Sequence, residues 1–272
     1  MAAYFQAAAR EGEETVVVYR PVDRKRQKGT EPMKVLIVND DSISAPGIAM
    51  LAKAAAELGE VWVVAPKHQC SAMSQKLTIH GDMLLEKAVD FPVQGVKAYC
   101  LEGTPVDCVK VALQHLMQEK PDFVFSGINN GYNTGYDIAY SGTLGAAFEA
   151  VRGGVPAIAF SAAGDAYLPG AEGYLPQLIK ELTQAHQEPG KVWNVNFPAV
   201  KTSKPKGILR DVPLAPLSLF RETYIETVQP DGSVTVACKG ILTPLDQIPE
   251  GTDSWAVKNG YISIGKVNGL VL

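Results

Sequence analysis

No apolar run in this 272-residue chain approaches the roughly 18 to 20 residues that a transmembrane helix needs, so no membrane partner is expected. Cysteine is scarce. Cys70, Cys100, Cys108 and Cys238 stand apart without a C-x-x-C pair. That number and spacing exclude a disulfide scaffold and a structural zinc site, and point to reduced thiols in the cytoplasm. The first residues lack a basic segment followed by a continuous apolar stretch, so the start reads as a poor secretory signal. Positive charge is not in excess either. The 25 basic and 29 acidic residues leave a net charge of −4, and nucleic acid is not an expected partner. There is no G-x-G-x-x-G after the first apolar run, and the acidic loop found there would repel a pyrophosphate. That excludes a dinucleotide oxidoreductase. No internal repeat is present.

What is there is ordinary globular composition, 46% hydrophobic and 20% charged, with 25 Gly and 18 Pro marking many turns. Residues 1–32 carry Arg20, Arg24, Lys25, Arg26 and Lys28 among polar residues and lack a core pattern, so a flexible N-terminal extension is expected there. Met33 opens the first strand pattern, and 33–272 is expected to be one α/β domain. Apolar runs rich in β-branched residues predict strands at Lys34–Val38, Val61–Ala65, Lys97–Leu101, Phe123–Phe125, Ala157–Phe160 and Val192–Val195. Helical spacing predicts helices after Ser44, with Ile48, Leu51, Ala55 and Leu58 on one face, and after Thr104, with Val106, Val109, Leu113 and Leu116. Further helices are predicted over Gly142–Arg152 and Tyr174–Gln187. Thr104-Pro105-Val106-Asp107 reads as a capping box with Pro at the first helical position. Continuous apolar strands alternating with helices predict a mostly parallel sheet covered on both faces, with a core over about 33–198. The region from about 200 to 272 is richer in Pro. Thr223–Val228 and Ser233–Cys238 around Pro230-Asp231-Gly232 predict a projecting β-hairpin.

Three predicted loops at strand ends carry the chemistry, because open α/β sheets bind ligands at the carboxyl ends of their strands. The first is Asn39-Asp40-Asp41-Ser42. Adjacent carboxylates repel unless they are solvated or share a cation, and hard oxygen donors suit Mg²⁺, Mn²⁺ or Ca²⁺. The second loop, Ala65 to Ala72, offers the Ser71 hydroxyl. The third, Ser126 to Asn133, offers the Asn129 amide. Beyond it, Tyr140-Ser141-Gly142-Thr143 opens a helix with small residues. That suits phosphate binding at the positive end of the helix dipole, or ordinary capping by Ser141 or Thr143. A signalling receiver module also has an acidic pair after its first strand. It would need an Asp where Ser126 and Asn129 stand, and a Lys where Ser161 stands.

These motifs occur in an order that resembles the SurE family, also called survival protein E. They are Asn39-Asp40-Asp41, Ala45-Pro46-Gly47, Val64-Ala65-Pro66 with Ser71-Ala72, Thr78-Ile79-His80, Gly103-Thr104-Pro105 with Asp107-Cys108-Val109, Ser126-Gly127-Ile128-Asn129 and Tyr140-Ser141-Gly142-Thr143. The similarity returns at Thr252-Asp253 and Asn259-Gly260-Tyr261-Ile262-Ser263-Ile264. The resemblance implies a Rossmann-like core and a metal-dependent 5′-nucleotidase that hydrolyses nucleoside 5′-monophosphates to nucleoside and phosphate. Some members also act on 3′-nucleotides or polyphosphate. It implies one divalent cation per subunit, Mn²⁺ or Mg²⁺, held by Asp40, Asp41, Ser71 and Asn129. It also implies a homodimer or homotetramer; for the reaction, Asp40 or Asp41 is expected to accept the proton of the attacking water, and Ser141, Gly142 and Thr143 to hold the phosphate. This chain departs from the pattern at Ser42, where Gly is usual, at Ala72-Met73-Ser74-Gln75, where a Gly and a His are usual, and at Asn130, a common His or Arg. The segment 212–222 is thin in Arg, and Gly265-Lys266 replaces Thr-Pro. These departures bear on proton delivery and substrate grip, so the alternative is a catalytically weakened SurE-like nucleotide-binding protein.

Overall fold

The computed structural model describes residues 31–162, 167–200 and 204–269. The extension expected over 1–32 lies, except for Glu31 and Pro32, outside the described residues. Strand β1 (Met33–Val38) leads through helix α1 (Pro46–Ala55) to β2 (Gly59–Pro66), short β3 (Leu85–Lys87) and β4 (Lys97–Leu101). Helix α2 (Pro105–Val111) crosses back to β5 (Phe123–Asn130), and α3 (Gly142–Arg152) leads to β6 (Ala157–Ala162). Helices α4 (Tyr167–Glu172) and α5 (Leu175–Gln184) precede β7 (Lys191–Phe197). Six of these strands run parallel in the order β4-β2-β1-β5-β6-β7. The chain builds outward from β1 on one side, then returns to build outward from β5 on the other. The switch point therefore falls between β1 and β5, where a doubly wound sheet opens a crevice at its carboxyl edge.

Two apolar layers hold the sheet. Val35, Ile37, Phe125 and Phe160 face Ile48 and Leu51 of α1 and Leu178, Ile179 and Leu182 of α5. Leu36, Val38, Val124 and Ala159 face Val109 of α2 and Leu144 and Ala147 of α3. The alternation along β1 explains why the whole run is apolar: both faces are covered. The Thr104 cap forms as the sequence predicts. Asp107 N–H donates to Thr104 Oγ1 at 3.2 Å, and Thr104 N–H donates to Asp107 Oδ2 at 2.8 Å.

Four expectations are corrected. The face predicted through Leu116 does not stay α-helical, because α2 ends at Val111 and Ala112–Leu116 form a wider π turn. The helix predicted over Tyr174–Gln187 spans only Leu175–Gln184. The loop predicted at Ser126 is strand as far as Asn130, pairing with β6 across a register shift between Ser126 and Asn129. The sheet also draws on residues beyond 198. Strand β8 (Ile208–Leu209) and the late strand Ile262–Asn268 extend it past β7, and Ile262 and Ile264 sit in the core. Between them stand the hairpin strands β9 (Phe220–Val228) and β10 (Val234–Leu242), which among the described residues pair only with each other. Helix α6 (Asp253–Lys258) then leads into that late strand, β11. No helix among the described residues is long and apolar enough to cross a membrane.

Candidate active site

The chain leaves β1 at Asn39-Asp40-Asp41, beside the switch point. Asn39 and Asp40 are buried. Asn39 Nδ2 donates to the Ser42 carbonyl at 2.7 Å and pulls the loop into a tight turn. The second loop is tied to the first through the main chain, since Cys70 N–H donates to the Asp40 carbonyl at 2.7 Å. This sets Ser71, exposed and next in sequence, beside the acidic pair. Asp41 reaches the end of β5. Its Oδ2 accepts from the Asn130 N–H at 2.7 Å, and Gln69 Nε2 lies 3.4 Å from Oδ1. Asn129 Nδ2 donates to the Gly131 carbonyl at 2.9 Å, which leaves its Oδ1 as the acceptor. Asp40, Asp41, Ser71 and Asn129 thus come from three loops or strand ends that are bonded to one another.

Helix α3 starts against this cluster. A Cβ at Gly142 would lie 2.9 Å from Asp40 Cβ and 3.0 Å from its Oδ2, so only glycine lets the helix start approach so closely. Thr143 Oγ1 donates to Asp40 Oδ1 at 2.6 Å, and Ser141 Oγ accepts from the Leu144 N–H at 3.1 Å. The two hydroxyls expected at a phosphate are therefore engaged within the protein, one on Asp40 and one as the helix cap. What the first turn still presents to an anion is the Gly142 N–H, because the Thr143 N–H is bonded to Asp40, the Leu144 N–H to Ser141 Oγ and the Gly145 N–H to the Ser141 carbonyl.

Burial pushes the Asp40 carboxyl up to about 6, assisted by the neighbouring Asp41 charge and opposed by the Thr143 hydroxyl bond. Burial also raises Asp41, against its bonds from Asn130 and Gln69. A buried and a half-buried carboxylate side by side, each with a raised pKa, favour a counter-charge between them. Among the described residues no group of three or more His, Cys, Asp or Glu is assembled, so any cation here relies on the neutral oxygens of Ser71 and Asn129. An all-oxygen set of two carboxylates, a hydroxyl and an amide fits Mg²⁺ or Mn²⁺ and does not suit a soft metal.

Residues 35–213 match the family model described as survival protein SurE. The chain belongs to the SurE family. It is 37% identical over 239 residues to the 5′-nucleotidase SurE 1 of Thermus thermophilus, which covers 87% of this chain and 92% of that one. It is 38% identical over 233 residues to the 5′-nucleotidase SurE of Flavobacterium psychrophilum, covering 85% and 89%. The crystal structure of the SurE protein of Aquifex aeolicus superposes with a TM-score of 0.76 at 32% identity, covering 88% of this chain and 94% of that one. The expected α/β fold, with its mostly parallel sheet and late hairpin, is that of the family.

The departure at Ser42 has a structural reading in this SurE chain. Ser42 adopts φ +90°, a conformation that glycine reaches freely and an L side chain reaches at a cost on the order of 1 kcal/mol or more. Its hydroxyl lies 3.0 Å from that of Ser44, which offsets part of the cost. Ser42→Gly is expected to raise stability by up to about 1 kcal/mol with turnover unchanged, as read by thermal melting. A drop in melting temperature would mean that the hydroxyl pair outweighs the strain.

Two carboxylates support the site from a distance, Asp253 of the Thr252-Asp253 motif and Asp137, which no motif singles out. Asp253 is buried and accepts from the Gly135 N–H at 3.0 Å and the Ala215 N–H at 2.8 Å. Asp137 accepts from the Leu219 N–H at 2.8 Å and the Phe220 N–H at 3.2 Å. Together they tie the segment before α3 to the root of the hairpin. For Asp137 the available signal is an acidic residue in the first turn of a short helix, which alone says nothing of a partner elsewhere.

Proposed function

We propose that this chain is a divalent-cation-dependent 5′-nucleotidase, hydrolysing nucleoside 5′-monophosphates to nucleoside and phosphate. The observation that carries this is the convergence of Asp40, Asp41, Ser71 and Asn129 at the switch point, against the start of α3. In this reading the four residues hold one Mn²⁺ or Mg²⁺ per subunit. When bound, such a cation supplies charge that polarises a phosphoryl oxygen and makes nearby water more acidic. The protein's own part is positioning. The Gly142 N–H at the positive end of α3 orients the phosphate, and the Thr143 hydroxyl holds Asp40 in place. One of the two carboxylates takes the proton of the attacking water.

We read the hairpin as an assembly element. Its strands leave Phe220, Tyr224, Ile225, Val228 and Val236 exposed, and an isolated two-stranded hairpin is marginal in water. A homodimer or homotetramer is the corresponding expectation. All four cysteines are free, in keeping with a reducing compartment.

The deciding experiment is phosphate release from nucleoside 5′-monophosphates, 3′-nucleotides and polyphosphate. Turnover is expected with Mn²⁺ and none in excess EDTA. Equal rates in EDTA would end the cation reading. Nucleotide binding without release under every cation would leave a nucleotide-binding protein that has lost turnover.

A further inference from the structure

The site as described accounts for the phosphate end of a nucleotide and leaves the base without a partner. An exposed aromatic ring stands next to the start of α3. Tyr140 closes the short helix Gly135–Tyr140 and directly precedes Ser141, the cap of α3. Its main chain is clamped. The Tyr140 carbonyl accepts from the Ser74 N–H at 2.9 Å, and the Ala139 carbonyl accepts from Ser74 Oγ at 2.8 Å. These bonds fix Tyr140 between the loop that carries Ser71 and the helix that carries Thr143. Gly142, which packs on Asp40, is two residues away, a Cα separation of at most about 7.6 Å.

The ring itself is left open. Tyr140 is 61% exposed, and Tyr136, one turn earlier, is 59% exposed. Among the described residues Tyr140 makes no ring stacking, cation–π contact or side-chain hydrogen bond. A tyrosine has only two side-chain torsions to fix, so holding its main chain largely predetermines where its face can point. A scattered surface tyrosine needs no explanation. This one is anchored on both sides of the site where phosphate transfer is read, with its face unused.

We propose that Tyr140 is the platform on which the nucleobase of the substrate stacks while the phosphate lies at the start of α3. The inference rests on the nucleotidase reading and adds the base subsite to it. Every base has a π face, so a stacking platform without hydrogen-bond readout accepts purines readily and discriminates weakly among them.

The test compares a nucleotide with its base-free counterpart. Steady-state rates are measured with Mn²⁺ for AMP, GMP and ribose 5-phosphate, using the full chain and the variants Tyr140→Ala and Tyr140→Phe. Tyr140→Ala is expected to raise KM for AMP and GMP about tenfold, the scale of a lost base–aromatic stack, and to leave ribose 5-phosphate unchanged. Tyr140→Phe, which keeps the face and loses the hydroxyl, is expected to restore the nucleotide KM. An equal rise for ribose 5-phosphate would make Tyr140 a structural part of the phosphate site and overturn the proposal. No change for any substrate would overturn it too. Failure of the parent protein to hydrolyse any of the three would instead remove the nucleotidase reading. Calorimetric titration of AMP against ribose 5-phosphate on the same variants would then read the stacking directly, and equal loss or no loss would overturn the platform.

Discussion

In EDTA, the Asp40→Asn variant is expected to melt roughly 4–12 °C above the parent protein, and in excess Mn²⁺ the order is expected to reverse. The cause is the buried acidic pair. Asp40 has a folded-state pKa of about 6 against an ordinary 3.8, so the cation-free fold binds its proton more tightly than the unfolded chain does. For an acid shifted upward, the stability deficit is absent below the unfolded pKa, grows as pH rises between the two values, and is complete above the folded one. At neutral pH the deficit is on the order of 2–3 kcal/mol, at about 1.4 kcal/mol per pKa unit. A chain of this size gains roughly 2–4 °C per kcal/mol. Asparagine removes the charge yet keeps an oxygen for the Thr143 hydroxyl. The same change removes a charged cation donor, so phosphatase activity at ordinary Mn²⁺ is expected to vanish. The parent in EDTA should also gain stability as pH falls from 7 towards 4, while the variant shows less of that gain. An Asp40→Asn protein that melts lower in EDTA and still turns over would identify the acidic pair as a mere turn.

Gly145→Ala is expected to fold and to lose about a hundredfold in kcat/KM. Gly145 lies in the first turn of α3, and a Cβ there would fall inside the van der Waals envelope of the Ser74 carbonyl oxygen. Main chain cannot swing aside as a side chain does, so the loop 71–75 has to retreat by about 1 Å or more. A displacement of that size at a positioned donor costs on the order of 10²-fold in rate. Ser71 and the clamp on Tyr140 both ride on that loop. Raised Mn²⁺ should recover part of the rate if Ser71 is a cation donor. A variant with parental kinetics would show that the loop moves without consequence for the site.

The parallel strands and most of the helices could be read from the sequence because burial on both faces leaves continuous apolar runs, as in Leu36–Val38 and Val63–Ala65. The Thr104–Asp107 box and the hairpin turn are local chemistry and needed no tertiary knowledge. What escaped is set by distant neighbours. Strands β3 and β8 are three and two residues long and hold their places only as edges of a sheet. Ser126–Asn130 reads as loop by composition but is held as strand by β6. The Thr143 hydroxyl looked free because its acceptor, Asp40, lies 103 residues earlier. The Thr143–Asp40 bond joins residues that no local pattern connects.

The glycines around the crevice carry a consequence for how such a protein can change. Gly47 of α1 meets the Ile128 carbonyl and Gly145 of α3 meets the Ser74 carbonyl, main chain against main chain. The distances between the acidic pair, the serine loop and the end of β5 are therefore referenced to the backbone, with little dependence on the side chains at the rim. Residues such as Met73, Gln75 and Asn130 sit on that frame without supporting it. Side-chain substitutions at those positions are therefore expected to leave the spacing of the acidic pair, the serine loop and the end of β5 unchanged.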